Sequence, residues 1–178
     1  MTEFDKIIKI ILEIGSEIID TNREKNRNSI GKKAEQISYE RLKSFALQSK
    51  LPFISKFDKV DFETRKNWTS FWILSPIIGK KNLREGNDDF LIGITKIVNH
   101  RPSLVIFFAP ERNELFIGKD NKAYKISNLE HDFVYHQDEL LKEDNQINKP
   151  IEGFFFTILK SKTKMNARTE NFLTLFKK

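Results

Sequence analysis

The chain has 178 residues, of which 39% are hydrophobic and 31% charged, a composition typical of a globular domain with a buried core. It contains no cysteine, which excludes disulfides and thiolate metal sites, and its formal net charge of +6 favours anionic partners in a general way. The apolar run near the start is interrupted by Lys6, Lys9 and Glu13, unlike a signal peptide or a spanning helix. We therefore expect a cytoplasmic protein with no membrane contact. Basic and acidic residues are interleaved and no nucleic-acid-binding motif is visible, so nucleic acid is not an expected partner.

The first third of the chain alternates helical and extended patterns. Apolar residues recur at helical spacing from Phe4 to Ile19 and predict a first helix that ends near Asp20. The polar stretch 21–33 predicts a loop, and 34–49 predicts a second helix. A short strand is predicted at 51–55, a short helix at 61–68 and a strand at 71–75. Pro76 and Gly79 predict a rigid turn where that strand ends.

The rest of the chain is richer in strands. Apolar runs at 90–98, 103–110, 114–118 and 122–126 are separated by turn signals and predict an antiparallel meander. The acidic segment 128–150 predicts a polar linker or insertion, followed by a strand at 153–160 and a helix at 167–176. The pattern therefore predicts an α/β (α+β) fold in which one layer of helices packs on a sheet, with units at 1–127 and 151–178.

Three segments together resemble a known family. PFISKFD, FWILSPIIGKKNLREGNDDF and SLVIFFAPERNELFIG are similar, in that order, to motifs of the inositol monophosphatase superfamily, and most similar to its 3'(2'),5'-bisphosphate nucleotidases. The residues that keep the family pattern at its spacing are Trp72, Pro76, Gly79, Lys81, Phe90, Ala109, Pro110, Glu114 and Leu115. The resemblance implies the N-terminal half of that fold, with two helices on an antiparallel sheet, and a strand-helix remnant of the second domain at 151–178.

The family's magnesium-binding motifs are altered in this chain. The resemblance aligns a Glu pair and an Asp-Pro-Leu-Asp-Gly-Thr motif with Lys56, Phe57, Ser75, Ile77, Ile78, Gly79 and Lys80. Magnesium prefers oxygen ligands in octahedral geometry, including one or two carboxylates, and these positions offer no carboxylate side chain. A further Asp of the family would fall beyond the last residue of the chain. We therefore expect no magnesium cofactor, although the family uses one.

Lysines occupy the region where the family holds phosphate. The resemblance makes candidate anion-binding residues of Lys56, Lys80, Lys81, Lys160, Lys162 and Lys164. A lysine can neutralise a phosphate as a point charge without any metal, so a phosphate-containing small molecule is one expected ligand. The alternative is that these lysines accumulated by drift at a site under no selection.

Other side chains could in principle replace the lost metal ligands. Glu85, Asp88 and Asp89 form a local cluster that is typical of a solvated loop, and Asp58 alone does not make a two-metal site. His131 and His136 lie five residues apart in an acidic segment, which is poor spacing for zinc on one helix face.

The sequence thus predicts a truncated, catalytically inactive homologue of a magnesium-dependent phosphatase, that is, a pseudophosphatase. The alternative is a metal-free phosphate-binding, nucleotide-binding or protein-interaction module that uses the retained fold. A third hypothesis is a split phosphatase completed by a partner chain. The apolar run at 154–159 also predicts either burial by the last helix or self-association.

Overall fold

The computed structural model describes residues 1–22, 27–130 and 134–147, apart from the side chains of residues 22, 27 and 28. The chain divides into two compact units, Met1–Asn148 and Lys149–Lys178, and only the first contains described residues. The predicted strand at 153–160, the predicted helix at 167–176 and Lys160, Lys162 and Lys164 lie outside the described residues. The predicted self-association through 154–159 therefore stays a prediction.

Two long helices form one layer of the fold. Helix α1 spans Glu3–Asn22 and helix α2 spans Arg27–Gln48. The one-turn helix α3 (Phe62–Arg65) follows them in the chain and lies within the predicted short helix at 61–68. The apolar stripe of α1 is almost fully buried, including Ile7, Ile11 and Ile18 at 1% exposure or less. None of the described helices is both long enough and apolar enough to cross a membrane.

A six-stranded sheet forms the second layer, in the order β1 to β6 across the sheet. Its strands are β1 (Phe53–Ile54), β2 (Ser70–Ile78), β3 (Leu91–Val98), β4 (Arg101–Ala109), β5 (Glu114–Lys119) and β6 (Lys122–Ser127). Strands β2 to β6 are antiparallel neighbours, whereas β1 runs parallel to β2. The predicted meander and helix layer are confirmed, with the correction that the sheet is mixed at the β1 edge.

The core lies between the two layers. Side chains of alternate strand residues, such as Trp72, Ile94, Ile106 and Phe108, are at most 1% exposed against the helices. The indole N–H of Trp72 donates to Ser49 Oγ at 2.9 Å, which satisfies its buried donor.

The predicted loop at 21–33 is wrong at 21–22 and over 27–33, because α1 continues to Asn22 and α2 already begins at Arg27. This first part of α2 contains few apolar residues, so its periodicity did not indicate a helix. Gly31 allows close contact with a short helix that the sequence did not predict, α4 (Lys80–Glu85). A Cβ on Gly31 would lie 3.0 Å from Arg84 Cγ.

The predicted turn after Ser75 is also wrong, because β2 continues through Pro76 to Ile78. The β2–β3 register shifts between Ser75 and Ile78, and this irregularity contains a proline that cannot donate to the ladder. The sharp change of direction occurs at Gly79, whose φ is +85°. A Cβ there would approach Asp89 O to 2.5 Å, so only glycine fits without strain.

The segment predicted as a polar linker or insertion contains ordered structure among its described residues. A short helix, α5, spans Gln137–Leu140, and Leu129 and Leu140 are 4% and 1% exposed in the core. Ile147 N–H donates to Ala123 O at 2.8 Å, which attaches this segment to β6. The described part of 128–150 therefore packs on the sheet and helices.

Candidate functional site

A buried carboxylate lies between two lysines near the end of the β1 and β2 strands. The side chain of Glu35, on α2, is only 7% exposed. Lys80 Nζ donates to Glu35 Oε2 at 2.7 Å, and Lys56 Nζ donates to Glu35 Oε1. We call these three residues the Glu35 cluster.

The parallel pairing of β1 and β2 brings the two lysines together. Parallel strands end at the same edge of a sheet. Lys56 follows the end of β1 by two residues and Lys80 follows the end of β2 by two residues, after the turn at Gly79. Helix α2 packs against β2 and α4, so Glu35 meets both lysines from the helix layer.

The lysines keep Glu35 ionised. Burial raises the pKa of the Glu35 carboxyl, but hydrogen bonds and charge attraction from Lys56 and Lys80 outweigh burial and hold it below its ordinary value. Two ammonium groups share one carboxylate, so the Glu35 cluster keeps an excess of positive charge. Such a cluster can neutralise an anion, but it has neither a free carboxylate for a cation nor a base for water.

A cleft of about 480 Å³ lies beside the Glu35 cluster. It is bounded by the chain that follows β1 and by the last residues of β2. The lining residues are Ile54, Ser55, Lys56, Asp58, Lys59, Val60, Arg65, Ile73, Leu74, Ser75, Pro76, Ile77 and Ile78. Its volume is in the range of small-molecule sites, and its lining is mostly apolar with a few polar groups, as is usual for such sites.

Comparisons with known proteins identify similar sequences and a similar fold. No model of a known protein family matches the sequence. The 3'(2'),5'-bisphosphate nucleotidase CysQ of Escherichia coli K12 is 29% identical over 75 residues, covering 42% of this chain and 30% of the relative. The CysQ of Haemophilus influenzae is 32% identical over 66 residues, covering 36% of this chain and 24% of the relative. The crystal structure of CysQ from Bacteroides thetaiotaomicron, a bacterial member of the inositol monophosphatase family, superimposes with a TM-score of 0.78 at 21% identity. That superposition covers 96% of this chain and 66% of the CysQ chain.

The chain has an inositol monophosphatase-like fold and is similar in sequence to CysQ bisphosphate nucleotidases over part of its length. The predicted resemblance and fold class are thereby confirmed. The matched segments span less than a third of the length of these curated relatives.

The altered motif positions of this CysQ-like chain lie around the cleft and the Glu35 cluster. Ser75 is half-buried and Ile78 is 42% exposed, and both line the cleft together with Ile77. Phe57 packs its ring on Tyr39, with centroids 4.7 Å apart. Magnesium, which the family uses, does not fit these side chains, because they offer apolar groups, a hydroxyl and two ammonium groups instead of carboxylates.

The structure brings together only part of the predicted lysine group. Lys56 and Lys80 meet at Glu35, but Lys81 points elsewhere, with a side chain 66% exposed and its Nζ 3.6 Å from Glu85 Oε1. Of the described candidate lysines, Lys56 and Lys80 therefore share one carboxylate, whereas Lys81 lies apart from them. Whether these lysines bind an anion stays a prediction.

The acidic candidates are held by their own partners. Arg112 Nε lies 3.0 Å from Asp88 Oδ2, and a second guanidinium nitrogen of Arg112 bonds Asp89. The hydrogen bond to Asp88 is the main reason that the pKa of Arg112 is raised. Among the described residues, no group of three or more His, Asp or Glu side chains could hold a metal ion. His131 lies outside the described residues, and His136 precedes α5.

Sequence reasoning missed Glu35, the central residue of the cluster. A signal for it existed, because Glu35 lies on the buried stripe of α2 that also contains Gly31, Ser38 and Leu42. Ionised side chains are rarely buried without a partner. A glutamate at helical spacing within a buried stripe therefore indicates a cation on a neighbouring element.

Proposed function

We propose that this CysQ-like protein does not hydrolyse phosphomonoesters by the magnesium-dependent route of its family and acts as a pseudophosphatase. The Glu35 cluster is the observation that carries the proposal. Lys56 and Lys80 occupy two motif positions of the family, and each is bound to Glu35. The cluster is thus an internal ion-pair network where the resemblance implies a metal centre.

Electrostatics argues against a metal ion at this place. A unit positive charge about 4 Å from an ammonium group costs about 4 kcal/mol at an effective dielectric of about 20, and a divalent ion costs more. Glu35 offsets this repulsion only partly, because its two oxygens already accept hydrogen bonds from the lysines. A magnesium ion would have to displace at least one lysine.

A second function is supported by the cleft beside the cluster. Lys56, Lys59 and Arg65 line a cavity of about 480 Å³ that also contains the hydroxyl groups of Ser55 and Ser75. Cationic side chains in a mostly apolar pocket can bind an anionic small molecule without a metal. A metal-free phosphate-binding or nucleotide-binding module is therefore compatible with the loss of phosphatase activity.

Manganese binding tests the loss of the metal centre, because Mn²⁺ is paramagnetic and replaces Mg²⁺ at oxygen sites. In titrations followed by electron paramagnetic resonance, we expect the wild-type chain to show no saturable Mn²⁺ binding. The combined variant Lys56→Glu, Ser75→Asp, Ile78→Asp and Lys80→Thr should show saturable Mn²⁺ binding, because it restores carboxylate ligands.

The neighbouring change Lys81→Glu is the matched control, because Lys81 lies outside the Glu35 cluster and should not create a site. Tight Mn²⁺ binding by the wild-type chain would overturn the proposal. Release of phosphate from 3'-phosphoadenosine 5'-phosphate that EDTA abolishes would do the same.

A further inference from the structure

The cleft beside the Glu35 cluster is lined by apolar and by cationic side chains, which we call its floor and its rim. The floor includes Ile54, Ile73, Pro76 and Ile78, and Ile78 exposes 42% of its surface. A large exposed isoleucine in a concave site loses contact with water when a ligand covers it, which favours ligands with an apolar surface. The floor thus sets one requirement on the ligand.

The acidic residue of the cleft is already neutralised. Asp58 accepts a hydrogen bond from Tyr39 Oη at 2.8 Å on Oδ1 and from Ser55 Oγ at 2.5 Å on Oδ2. Lys43 Nζ lies 3.6 Å from Asp58 Oδ1 and also donates to Tyr39 Oη at 3.0 Å. Asp58 therefore contributes little uncompensated negative charge to the cleft.

Two cations of the rim remain available. Lys56 is bound to Glu35, but Lys59 and Arg65 form no ion pair with the described residues. The guanidinium carbon of Arg65 lies 5.9 Å from the centroid of the Phe62 ring. The cleft therefore has a net positive rim, and its second requirement on the ligand is an anionic group.

Two other kinds of occupant fit poorly. A sugar phosphate or inositol phosphate carries hydroxyl groups around its ring, and these would lose hydrogen bonds to water against the apolar floor. An extended peptide that adds to the free side of β2 needs backbone donors there, and Pro76 has none.

We infer that the cleft binds a small organic anion with an apolar body, such as an alkyl or aryl chain that ends in a carboxylate or phosphate. The apolar body lies on Ile73, Pro76 and Ile78, and the anionic group meets Lys59 and Arg65. The inference rests on the proposed function, because the anionic group contacts the protein directly and no metal ion bridges them.

Four probes separate the two requirements, and each is titrated calorimetrically in low salt with EDTA. Octanoate and octyl phosphate carry both features, octanol carries only the chain, and inorganic phosphate carries only the charge. We expect both amphipathic anions to bind saturably and at least about fivefold more tightly than either single-feature probe. A difference between octanoate and octyl phosphate then identifies the preferred anionic group.

Variants locate the binding. The double change Lys59→Gln with Arg65→Gln should weaken the binding of octyl phosphate about fivefold, because two partly screened charge contacts are lost. Ile78→Ser should weaken the binding of octanoate and of octyl phosphate and leave the binding of inorganic phosphate unchanged. Lys66→Gln is the control, because Lys66 is the next residue along the chain but does not line the cleft. Circular dichroism of each variant confirms that it folds.

The outcomes also separate this inference from the proposed function. If neither octanoate nor octyl phosphate binds, with or without Mg²⁺, the inference about the cleft ligand is wrong, but the proposed loss of the metal centre stands. Binding that appears only when Mg²⁺ replaces EDTA overturns both. Equal weakening by Lys66→Gln and by the double change also overturns the inference, since the binding would then be unspecific.

Discussion

At the scale of single residues, Glu35 determines what the altered motif can do. Lys56 and Lys80 would repel each other and any cation near them, and the buried carboxylate relieves this repulsion by accepting a hydrogen bond from each. Removing one partner of a buried ionic group is costly because the remaining charges lose their compensation. The side chains of Lys56 and Lys80 are 52% and 33% exposed, so water reduces this cost.

Glu35→Gln should lower the free energy of unfolding by about 2 kcal/mol at neutral pH, which is below the 3–5 kcal/mol typical of fully buried pairs. The neutral amide keeps the shape of the side chain but no longer compensates the two ammonium groups. Urea titrations of the variant and the wild type measure the change. Glu40→Gln, an exposed change on the same helix, is the control. An equal effect of both changes would show that the Glu35 cluster contributes nothing specific.

Single residues also show the limit of sequence reasoning about the site. The motif pattern predicted that Lys56, Ser75, Ile78 and Lys80 lie near one another, and they do, because order along the strands fixes their position. It could not reveal that the lysines face a carboxylate, because Glu35 comes from a different element and its partners lie 21 and 45 residues away in sequence.

At the scale of elements, hydrophobic periodicity predicted those helices and strands that bury a continuous apolar stripe. Helix α1 and strands β3 to β6 are of this kind. Hydrophobic periodicity failed for the start of α2 and for α4. Helix α4 has one buried residue, Leu83. These elements are stabilised by contact with each other at Gly31, and such tertiary contacts leave no periodic signal.

Leu140 tests whether the described part of 128–150 belongs to the folded core. Leu140, on the one-turn helix α5, is 1% exposed. Leu140→Ala should lower the free energy of unfolding by about 2–4 kcal/mol, because it leaves a cavity in the core. Val134→Ala, at a position 42% exposed, is the control and should change stability little. Thermal unfolding of both variants measures the difference, and no loss for Leu140→Ala would mean that the segment behaves as a linker.

At the scale of the whole molecule, two buried carboxylates connect elements that are distant in sequence. Glu35 connects α2 to the ends of β1 and β2, and Asp5 connects α1 to the start of α5. Asp5 is 3% exposed, and its Oδ2 accepts the Thr2 N–H at 2.8 Å and lies 3.5 Å from His136 Nδ1. Burial raises the pKa of Asp5, but the hydrogen bonds from Thr2 and the proximity of His136 outweigh it and lower the pKa.

These two groups should make the folded state sensitive to acid. A carboxyl group whose pKa is lower in the folded state than in the unfolded chain stabilises the fold above its unfolded pKa. That stability is lost as the pH falls from the unfolded values, 3.8 for Asp5 and 4.5 for Glu35, through the lower folded values. The double variant Asp5→Asn with Glu35→Gln should therefore be less stable than the wild type at pH 6, and the gap should narrow as the pH falls below about 4. Urea unfolding between pH 6 and pH 3 measures the gap, with the exposed pair Asp20→Asn and Glu40→Gln as the control. A gap that stays constant over this range would show that neither carboxylate has a lowered pKa in the folded protein.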